Sequence, residues 1–302
     1  MNKIPPALKA LLEKQQYRFA GKHSGVKLCT WLKKSMRDEG VCYKEKFYGI
    51  KSHRCLQMTP SVAWCPNRCL YCWRAIEKTI DNEMDPKDID DPKTILDQAI
   101  SAQQQLLTGF GGFSGTNMQK FKEAQEPNQI AISLSGEPTS YPKIAELIDE
   151  AKSRGMTTFI VTNGQFPERI KDIDPYQLYL SVDAPNEDIY KKIDQPKYKD
   201  FWKRFIESAK IMGKKTCRKA VRLTIVKGFN DIYPEKYLEI INLTKADFIE
   251  VKAYMHVGFS QHRLPKEAMP LHDEVIEFAK KIEQASNGVY KITNESKLSR
   301  VV

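Results

Sequence analysis

The chain has 302 residues, of which 41% are hydrophobic and 28% charged, and this composition excludes a largely disordered protein. Its 48 Lys and Arg outnumber its 38 Asp and Glu, and the net charge of +10 fits a polyanionic partner, although a merely basic soluble protein fits equally well. No apolar run is long enough for a signal peptide or a membrane span, so we expect a cytoplasmic protein without membrane contact.

Cysteine usage divides the chain. Six of the seven cysteines precede residue 73, and Cys217 stands alone. Because thiols stay reduced in the cytoplasm, this usage favours metal or redox chemistry over disulfides. We therefore predict an N-terminal cysteine-containing extension over residues 1–56, followed by a second domain with a C-terminal tail over residues 57–302.

From about residue 94 onward, amphipathic segments alternate with short apolar stretches, which is typical of a parallel sheet covered by helices, and one more predicted strand precedes the cysteine loop. The predicted strands are 54–62, 129–135, 156–164, 176–184, 220–229 and 247–255, and the predicted helices are 90–107, 141–155, 199–213, 233–246 and 270–285. Six such units are fewer than the eight of a closed barrel, so we predict an α/β fold, a partial and open TIM barrel. The Gly-rich stretch 109–121 is predicted to be a flexible loop.

In parallel β/α folds, chemistry collects in the loops that follow the carboxyl ends of strands. Distinctive polar segments stand at those places: "CPNRCLYCWR" after the first predicted strand, "SGEP" after the second, "TNG" after the third and "SVDAP" after the fourth. We therefore expect the functional site at this edge of the sheet.

The loop after the first strand carries Cys65, Cys69 and Cys72, with no fourth ligand nearby. A structural zinc site uses four protein ligands. A [4Fe-4S] cluster normally has each of its four irons capped by a thiolate, so three cysteines leave one iron open to a small chelating molecule. The spacing resembles the radical S-adenosylmethionine (SAM) superfamily, and Tyr71 matches an aromatic residue common there. That resemblance implies a [4Fe-4S] cluster and SAM.

The same resemblance extends to the later strand ends. Gly136 and Glu137 look like the superfamily segment that receives the amino group of SAM. Asn163, Ser181 and Asp183 stand where the superfamily contacts the SAM ribose and carboxylate. Turn and cap chemistry is the alternative explanation for each of these five residues.

A second triplet lies upstream, at Cys29, Cys42 and Cys55, with thirteen residues from each cysteine to the next. Three unrelated buried thiols are one interpretation. The surrounding sequence, "GVCYKEKFYGIKSHRC", is charged and aromatic rather than typical of a core. We therefore favour a second [4Fe-4S] cluster with one iron left open.

The second triplet, "SLSGEPTSYP", "EVKAYMHVGFSQHRLP" and the terminal "SRVV" together resemble the archaeal tRNA 4-demethylwyosine synthases. The resemblance implies an enzyme of the carbon-carbon lyase type that forms 4-demethylwyosine in tRNA(Phe). It would condense N1-methylguanosine, 3′ of the anticodon, with a two-carbon unit of pyruvate. No flavodoxin-like domain precedes the cysteines, so electrons are expected from an external flavodoxin- or ferredoxin-type donor.

Pyruvate needs to be held, either by chelation at the open iron of the second cluster or by a Schiff base to a lysine. Lys44, two residues after Cys42, is the lysine we predict from proximity and resemblance. Lys46 and Lys51 are competitors, and a solvated lysine without a role is the alternative.

Basic residues interleaved with aromatics recur at 27–37, 43–54 and 198–205, which suits phosphate contact plus base stacking. We predict a tRNA face that includes Lys33, Lys34 and Arg37. His262, Arg263 and Arg300 receive no role from their spacing. Two other functions remain open: another radical SAM enzyme that modifies RNA or peptides with an auxiliary cluster, and a zinc-stabilised RNA-binding protein without catalysis.

Overall fold

A computed structural model describes residues 3–302, which form two compact units. The first unit comprises the chain up to Cys65 together with Glu83–Ile160 and Ile173–Tyr176. The second comprises Pro66–Asn82, Val161–Asp172 and Gln177–Val302. Among the described residues, no helix is both long and apolar enough to cross a membrane.

The first unit is built on five strands that lie in chain order. These are β1 (Arg18–Ala20), β2 (Ser24–Val26), β3 (Cys55–Thr59), β4 (Gln129–Ile132) and β5 (Thr157–Thr162), of which β5 runs on into the second unit by two residues. β1 pairs with β2, and β2 with β3, in antiparallel fashion, whereas β3, β4 and β5 are parallel. Its helices are α1 (Pro6–Lys14), α2 (Thr30–Met36), α3 (Tyr43–Tyr48), α4 (Pro92–Leu107), α5 (Met118–Ala124) and α6 (Ile144–Ser153).

Local sequence explains why these elements begin where they do. The side chain of Asp91 accepts hydrogen bonds from the backbone N–H groups of Lys93 and Thr94 and so caps α4, and Pro92 fits the first turn, where no intrahelical donor is needed. All four residues of β4 are buried, as expected for a parallel strand covered on both faces. A separate apolar cluster packs α2 against α4 and α5 and contains Leu28, Leu32, Met36, Leu107 and Ala124.

The second unit contains three parallel strands and five helices. The strands are β6 (Gln177–Ser181), β7 (Arg218–Ile225) and β8 (Phe248–Ala253). The helices are α7 (Pro167–Asp172), α8 (Glu187–Asp194), α9 (Phe201–Met212), α10 (Pro234–Thr244) and α11 (His272–Ala285). The C-terminal residues cover the free edge of β8, because Val251 and Val302 exchange two backbone hydrogen bonds of 2.9 Å.

The six predicted parallel strands correspond to β3 through β8, and the predicted alternation with helices is confirmed. The short hairpin β1–β2 was not predicted, because three-residue strands carry too little periodicity. The prediction of a loop over 109–121 is wrong for its last residues, because α5 begins at Met118. Asn117 caps that helix by accepting from the N–H groups of Gln119 and Lys120. The predicted division at residues 56 and 57 stays a prediction.

Candidate active site

The upstream cysteines converge although they lie far apart in sequence. Cys29 and Cys42 are the residues that immediately precede α2 and α3, and Cys55 is the first residue of β3. The pKa of the Cys55 thiol is raised to about 12, mainly by burial and also by the nearby Cys29 and Cys42, while the Lys44 ammonium acts in the opposite direction. The three thiols and one amine therefore share one electrostatic environment in the first unit.

Lys44 differs from the two competing lysines in its burial. Its residue is 9% exposed, and its Nζ lies 4.7 Å from the centroid of the Phe159 ring on β5, a cation–π contact. Lys46 is exposed, and the side chain of Lys51 is 57% exposed. Among these three lysines, only Lys44 is removed from solvent beside the thiols.

The segment that carries Cys42 is fixed by a short hydrogen-bonded loop. The N–H of Cys42 donates to Ser52 Oγ at 2.8 Å, and Ser52 in turn donates to Glu45 Oε2 from its hydroxyl at 2.5 Å and from its N–H at 2.7 Å. Gly49 ends α3 in the left-handed conformation (φ +72°), which glycine adopts without steric cost. These contacts set the position of the Cys42 thiol and of Lys44, two residues later.

The upstream donor set consists of three cysteines with a lysine beside them. Within residues 3–302, no three His, Cys, Asp or Glu side chains are placed to hold one metal ion. A four-iron cluster differs because each thiolate binds a different iron. Three cysteines whose thiolates would repel one another, with a lysine beside them, fit such a group, since binding takes up the thiolate charge.

In the first unit, the loop after β3 is tied closely to the segment after β4. The N–H of Glu137 donates to the carbonyl of Trp64 at 2.7 Å, and Ser61 Oγ donates to the carbonyl of Glu137 at 2.6 Å. Gly136 has φ +69°, and a Cβ there would lie 1.8 Å from the Ser61 carbonyl oxygen. Only glycine fits where the segment after β4 meets the loop after β3. This contact fixes the backbone that leads to Cys65, which is buried.

The carboxylate of Glu137 is buried and acts as a cap. Its Oε1 accepts hydrogen bonds from the N–H of Thr139 at 3.0 Å and from Thr139 Oγ1 at 2.6 Å. Glu137 therefore has a fixed orientation at the end of β4. Its predicted contact with the SAM amino group stays a prediction.

In the second unit, the rest of the cysteine loop rests on the end of α8. The N–H of Cys72 donates to the carbonyl of Cys69 at 3.0 Å, which closes a tight turn. The N–H groups flanking Cys69 are also engaged: Arg68 donates to the carbonyl of Asp194 at 2.9 Å, and Leu70 donates to the carbonyl of Ile193 at 2.8 Å. Backbone hydrogen bonds therefore fix the turn on which Cys69 and Cys72 lie.

A buried acid pair receives the hydroxyl of Tyr71. Tyr71 Oη donates to Asp183 Oδ2 at 2.6 Å and lies 3.0 Å from Asp194 Oδ1. Burial raises the pKa of both carboxyls, and the Asp183 charge raises that of Asp194 further. The other oxygen of Asp183 accepts the N–H of Thr224 at 2.6 Å. Asp183 therefore holds Tyr71 and β7 in place, and Asp194 is a contact that sequence reasoning missed.

Arg263, which received no role from sequence, clamps the cysteine loop. Its guanidinium donates to the carbonyl oxygens of Leu70 at 3.1 Å, Arg74 at 3.2 Å and Cys72, and to Glu77 Oε1 at 2.8 Å. The side chain is only 11% exposed. Because these acceptors lie nearly 200 positions away in sequence, spacing gave no signal for them.

The segment that precedes Arg263 packs against the same loop. Gly258 has φ +60°, and a Cβ there would lie 2.4 Å from the Trp73 carbonyl oxygen. The N–H of Phe259 donates to that oxygen at 2.9 Å. Arg300 has a comparable structural role elsewhere, since it donates to the carbonyl of Pro270 at 2.9 Å, whereas His262 is exposed.

The remaining predicted residues lie at strand ends, as expected. Asn163 directly follows β5, and its Oδ1 accepts the N–H of Gln165 at 3.1 Å. Ser181 is the last residue of β6, half-buried and paired in register with Arg222. Their contacts with SAM stay predictions.

The predicted tRNA-face residues on and after α2 differ in how far their charge is compensated. Arg37 forms an ion pair with Glu39 at 2.9 Å. Lys34 Nζ lies 5.3 Å from the Trp31 ring centroid. Lys33 is half-buried on the same helix. The predicted contacts of Lys33, Lys34 and Arg37 with tRNA stay predictions.

Comparison with known proteins identifies the family to which this chain belongs. Residues 59–241 match the family model of the radical SAM superfamily, and residues 243–302 match the model described as wyosine base formation. An S-adenosyl-L-methionine-dependent tRNA 4-demethylwyosine synthase of Pyrococcus abyssi is 46% identical over 99% of this chain and 88% of its own length. Its counterpart in Methanocaldococcus jannaschii is 41% identical over 99% of this chain and 95% of its own length.

A solved structure has the same architecture. It is described as TYW1 with a lysine-pyruvate adduct bound, and it is similar to this chain with a TM-score of 0.89 and 39% identity, covering 99% of this chain and 95% of the solved one. The predicted α/β fold of the radical SAM type is thereby confirmed.

Proposed function

Because the chain belongs to the S-adenosyl-L-methionine-dependent tRNA 4-demethylwyosine synthases, which are radical SAM enzymes, we propose that it forms 4-demethylwyosine from N1-methylguanosine of tRNA(Phe) and two carbons of pyruvate. Members of the radical SAM family use a [4Fe-4S] cluster and SAM, and the name of the related synthases gives tRNA as the substrate class. The choice of nucleoside, the second cluster and the pyruvate chemistry belong to the proposal.

The burial of Lys44 beside the second triplet is the observation that carries the proposal. A primary amine condenses with the C2 keto group of pyruvate, with loss of one water, to form a Schiff base. Lys44 is the buried candidate for this step, and Phe159 limits the positions that its Nζ can reach. The lysine-pyruvate adduct in the related TYW1 structure supports a lysine of this kind.

In this proposal, each cysteine triplet would hold its own iron-sulfur cluster. Cys65, Cys69 and Cys72 would hold the cluster that works with SAM, and Cys29, Cys42 and Cys55 would hold a second [4Fe-4S] cluster. When bound, the first cluster and SAM supply a carbon radical able to take a hydrogen atom from the substrate. The protein's own task is to hold pyruvate at Lys44 and to keep water away.

SAM would be bound at the strand ends. Gly136 and Glu137 are fixed by contacts with Ser61, Trp64 and Thr139, so their backbone and carboxylate are preorganised for a cationic amine. Asn163 and Ser181 are the proposed ribose and carboxylate contacts. Asp183 is the other proposed contact at the strand ends, and the hydrogen bonds that its oxygens accept from Tyr71 and Thr224 fix its orientation there.

The test is an anaerobic reaction of the reconstituted enzyme with SAM, pyruvate, a chemical reductant and tRNA that carries N1-methylguanosine. We expect loss of pyruvate, release of 5′-deoxyadenosine and a tricyclic base in the digested tRNA. The matched control replaces this tRNA with a transcript that lacks the N1-methyl group, and it should give no tricyclic base. Deoxyadenosine without pyruvate consumption or base change would refute the specific reaction and leave only the radical SAM chemistry. In cells, a flavodoxin- or ferredoxin-type donor would replace the reductant.

A further inference from the structure

A cavity of about 450 Å³ opens in the first unit, where the end of α1, strand β1, helix α2 and the end of α4 come together. Its volume lies within the roughly 300–1,000 Å³ of small-ligand sites. The lining contains none of the proposed cluster ligands or SAM contacts. The side chains on which its chemistry depends are Glu13, Gln16, Tyr17, Arg18, Lys33 and Phe110.

The lining combines two aromatic rings with two cations and with polar groups that can pair with a base. Tyr17 is buried and Phe110 is half-buried. Arg18 and Lys33 supply positive charge, and Lys27 Nζ, 5.3 Å from the Tyr17 ring centroid, adds to it. Phe110 offers a ring for stacking, whereas Tyr17, which is 1% exposed, forms part of the cavity wall. A ring for stacking, cations for a phosphate and side chains for a base edge are the combination with which proteins recognise an unstacked nucleotide.

We propose that this cavity binds one nucleotide of the tRNA, a guanosine other than the methylated target. This rests on the proposed function, since it names a further contact to the same tRNA substrate. A carboxylate only accepts hydrogen bonds, and guanine offers two adjacent donors, N1–H and the 2-amino group, to Glu13. Methylation at N1 removes one of those donors, and uracil has a single N–H, so both are worse ligands for this cavity.

Backbone strain at Gln16 is independent support. Gln16 follows α1 with φ +65°, and the N–H groups of Gln16 and Tyr17 close the helix by donating to Glu13 and Leu12 at 2.9 and 3.0 Å. Glycine is the usual residue in this left-handed position. A glutamine held there at the cavity has a conformational cost that its side chain would offset through ligand contact.

The cavity also adjoins the helix that follows a proposed cluster ligand. Leu28 lines the cavity, and the next residue, Cys29, packs with Phe110 against the apolar cluster around Leu32. Binding of a nucleotide here would therefore anchor the tRNA against the same α2 whose first turn follows Cys29.

The experiment measures the affinity of the anaerobically reconstituted holoenzyme for tRNA(Phe) and for the free nucleotides GMP, UMP and N1-methyl-GMP. Phe110→Ala should weaken tRNA binding about tenfold, since stacking of one base contributes a factor of this order. Arg18→Ala should also weaken it, because a phosphate contact is lost, and should make binding less dependent on salt. Phe113→Ala is the matched control, because Phe113 is 51% exposed three residues away and does not line the cavity. Wild type should bind GMP more tightly than UMP or N1-methyl-GMP.

Gln16→Gly separates a binding role from a structural one. We expect a higher melting temperature and weaker tRNA binding, whereas a purely structural glutamine would leave binding unchanged. Iron content and reductive SAM cleavage without tRNA should equal wild type in Arg18→Ala and Gln16→Gly. Wild-type tRNA affinity in both Phe110→Ala and Arg18→Ala, or GMP bound no better than UMP, would overturn the proposal. A holoenzyme that binds GMP selectively but forms no tricyclic base would support the nucleotide site and refute the proposed reaction.

Discussion

The two cysteine triplets are held by different kinds of structure. Cys69 and Cys72 lie on one turn whose carbonyls are clamped by Arg263 and whose N–H groups rest on the end of α8. Cys29, Cys42 and Cys55 instead come from the starts of two short helices and one strand. The compact loop depends on distant side chains for its shape, whereas the dispersed triplet depends on the fold of the N-terminal segment. The two sites should therefore fail separately.

The largest expected effect separates the two proposed clusters. Cys69→Ala and Cys42→Ala should each lower the iron content from about 8 to about 4 per chain, because each [4Fe-4S] cluster holds four. Cys69→Ala should abolish reductive SAM cleavage, whereas Cys42→Ala should retain cleavage and lose the tricyclic base. Iron analysis and deoxyadenosine quantification measure this. Cys217→Ala is the control and should match wild type; full iron in Cys42→Ala would break the distinction between the triplets.

The clamp on the compact loop gives the next largest effect. Arg263→Ala leaves the carbonyls of Leu70 and Cys72 without their charged donor, which should lower the free energy of unfolding by about 3 kcal/mol. Iron should be lost from the first cluster while pyruvate trapping at the second site persists. Arg263→Lys should recover only part of this, since an ammonium cannot bridge several carbonyls in a fork.

Denaturant unfolding and iron analysis test this clamp, with Arg300→Ala as the matched control. Arg300 donates to one carbonyl, that of Pro270, away from the cysteine loop. It should cost less stability and leave the iron content unchanged. Equal iron loss in both arginine variants would contradict a specific clamp.

A smaller effect is expected at the dispersed triplet. Ser52→Ala removes the acceptor of the Cys42 N–H and a donor to Glu45, which should cost about 1–2 kcal/mol in unfolding free energy. Iron should fall only in the second site, so SAM cleavage should continue. Asp91→Ala is a control of similar size, because loss of the α4 cap costs about 1 kcal/mol without touching either triplet. Iron loss in Asp91→Ala would mean that general instability, and not the local contact, releases the cluster.

Much of the fold was predictable because its strands and helices follow local patterns of apolar and polar residues. The six parallel strands are marked by short apolar stretches, and the loop with Cys65, Cys69 and Cys72 has its spacing within one short segment. Glycine at position 136 was also recognisable, although the close approach of the Ser61 carbonyl that requires it is visible only in the structure.

Arg263 and Asp194 could not be predicted, because their roles arise from contacts that only the fold creates. Arg263 reaches the carbonyl of Leu70 across 193 positions of sequence. Asp194 looks like an ordinary helix residue until α8 places it beside Asp183 and Tyr71. Asp183 shows the converse difficulty: its oxygens accept hydrogen bonds from Tyr71 and Thr224, contacts that its sequence position did not indicate, while its predicted contact with SAM stays a prediction.

The claim that pyruvate is held at the dispersed triplet by Lys44 is tested most directly by trapping. Holoenzyme incubated with pyruvate and borohydride, then digested and analysed by mass spectrometry, should carry the reduced adduct on the peptide that contains Lys44. Lys46→Ala should retain the adduct, and Lys44→Ala should lose it while keeping about 8 iron per chain. An adduct of undiminished yield in Lys44→Ala would contradict the account.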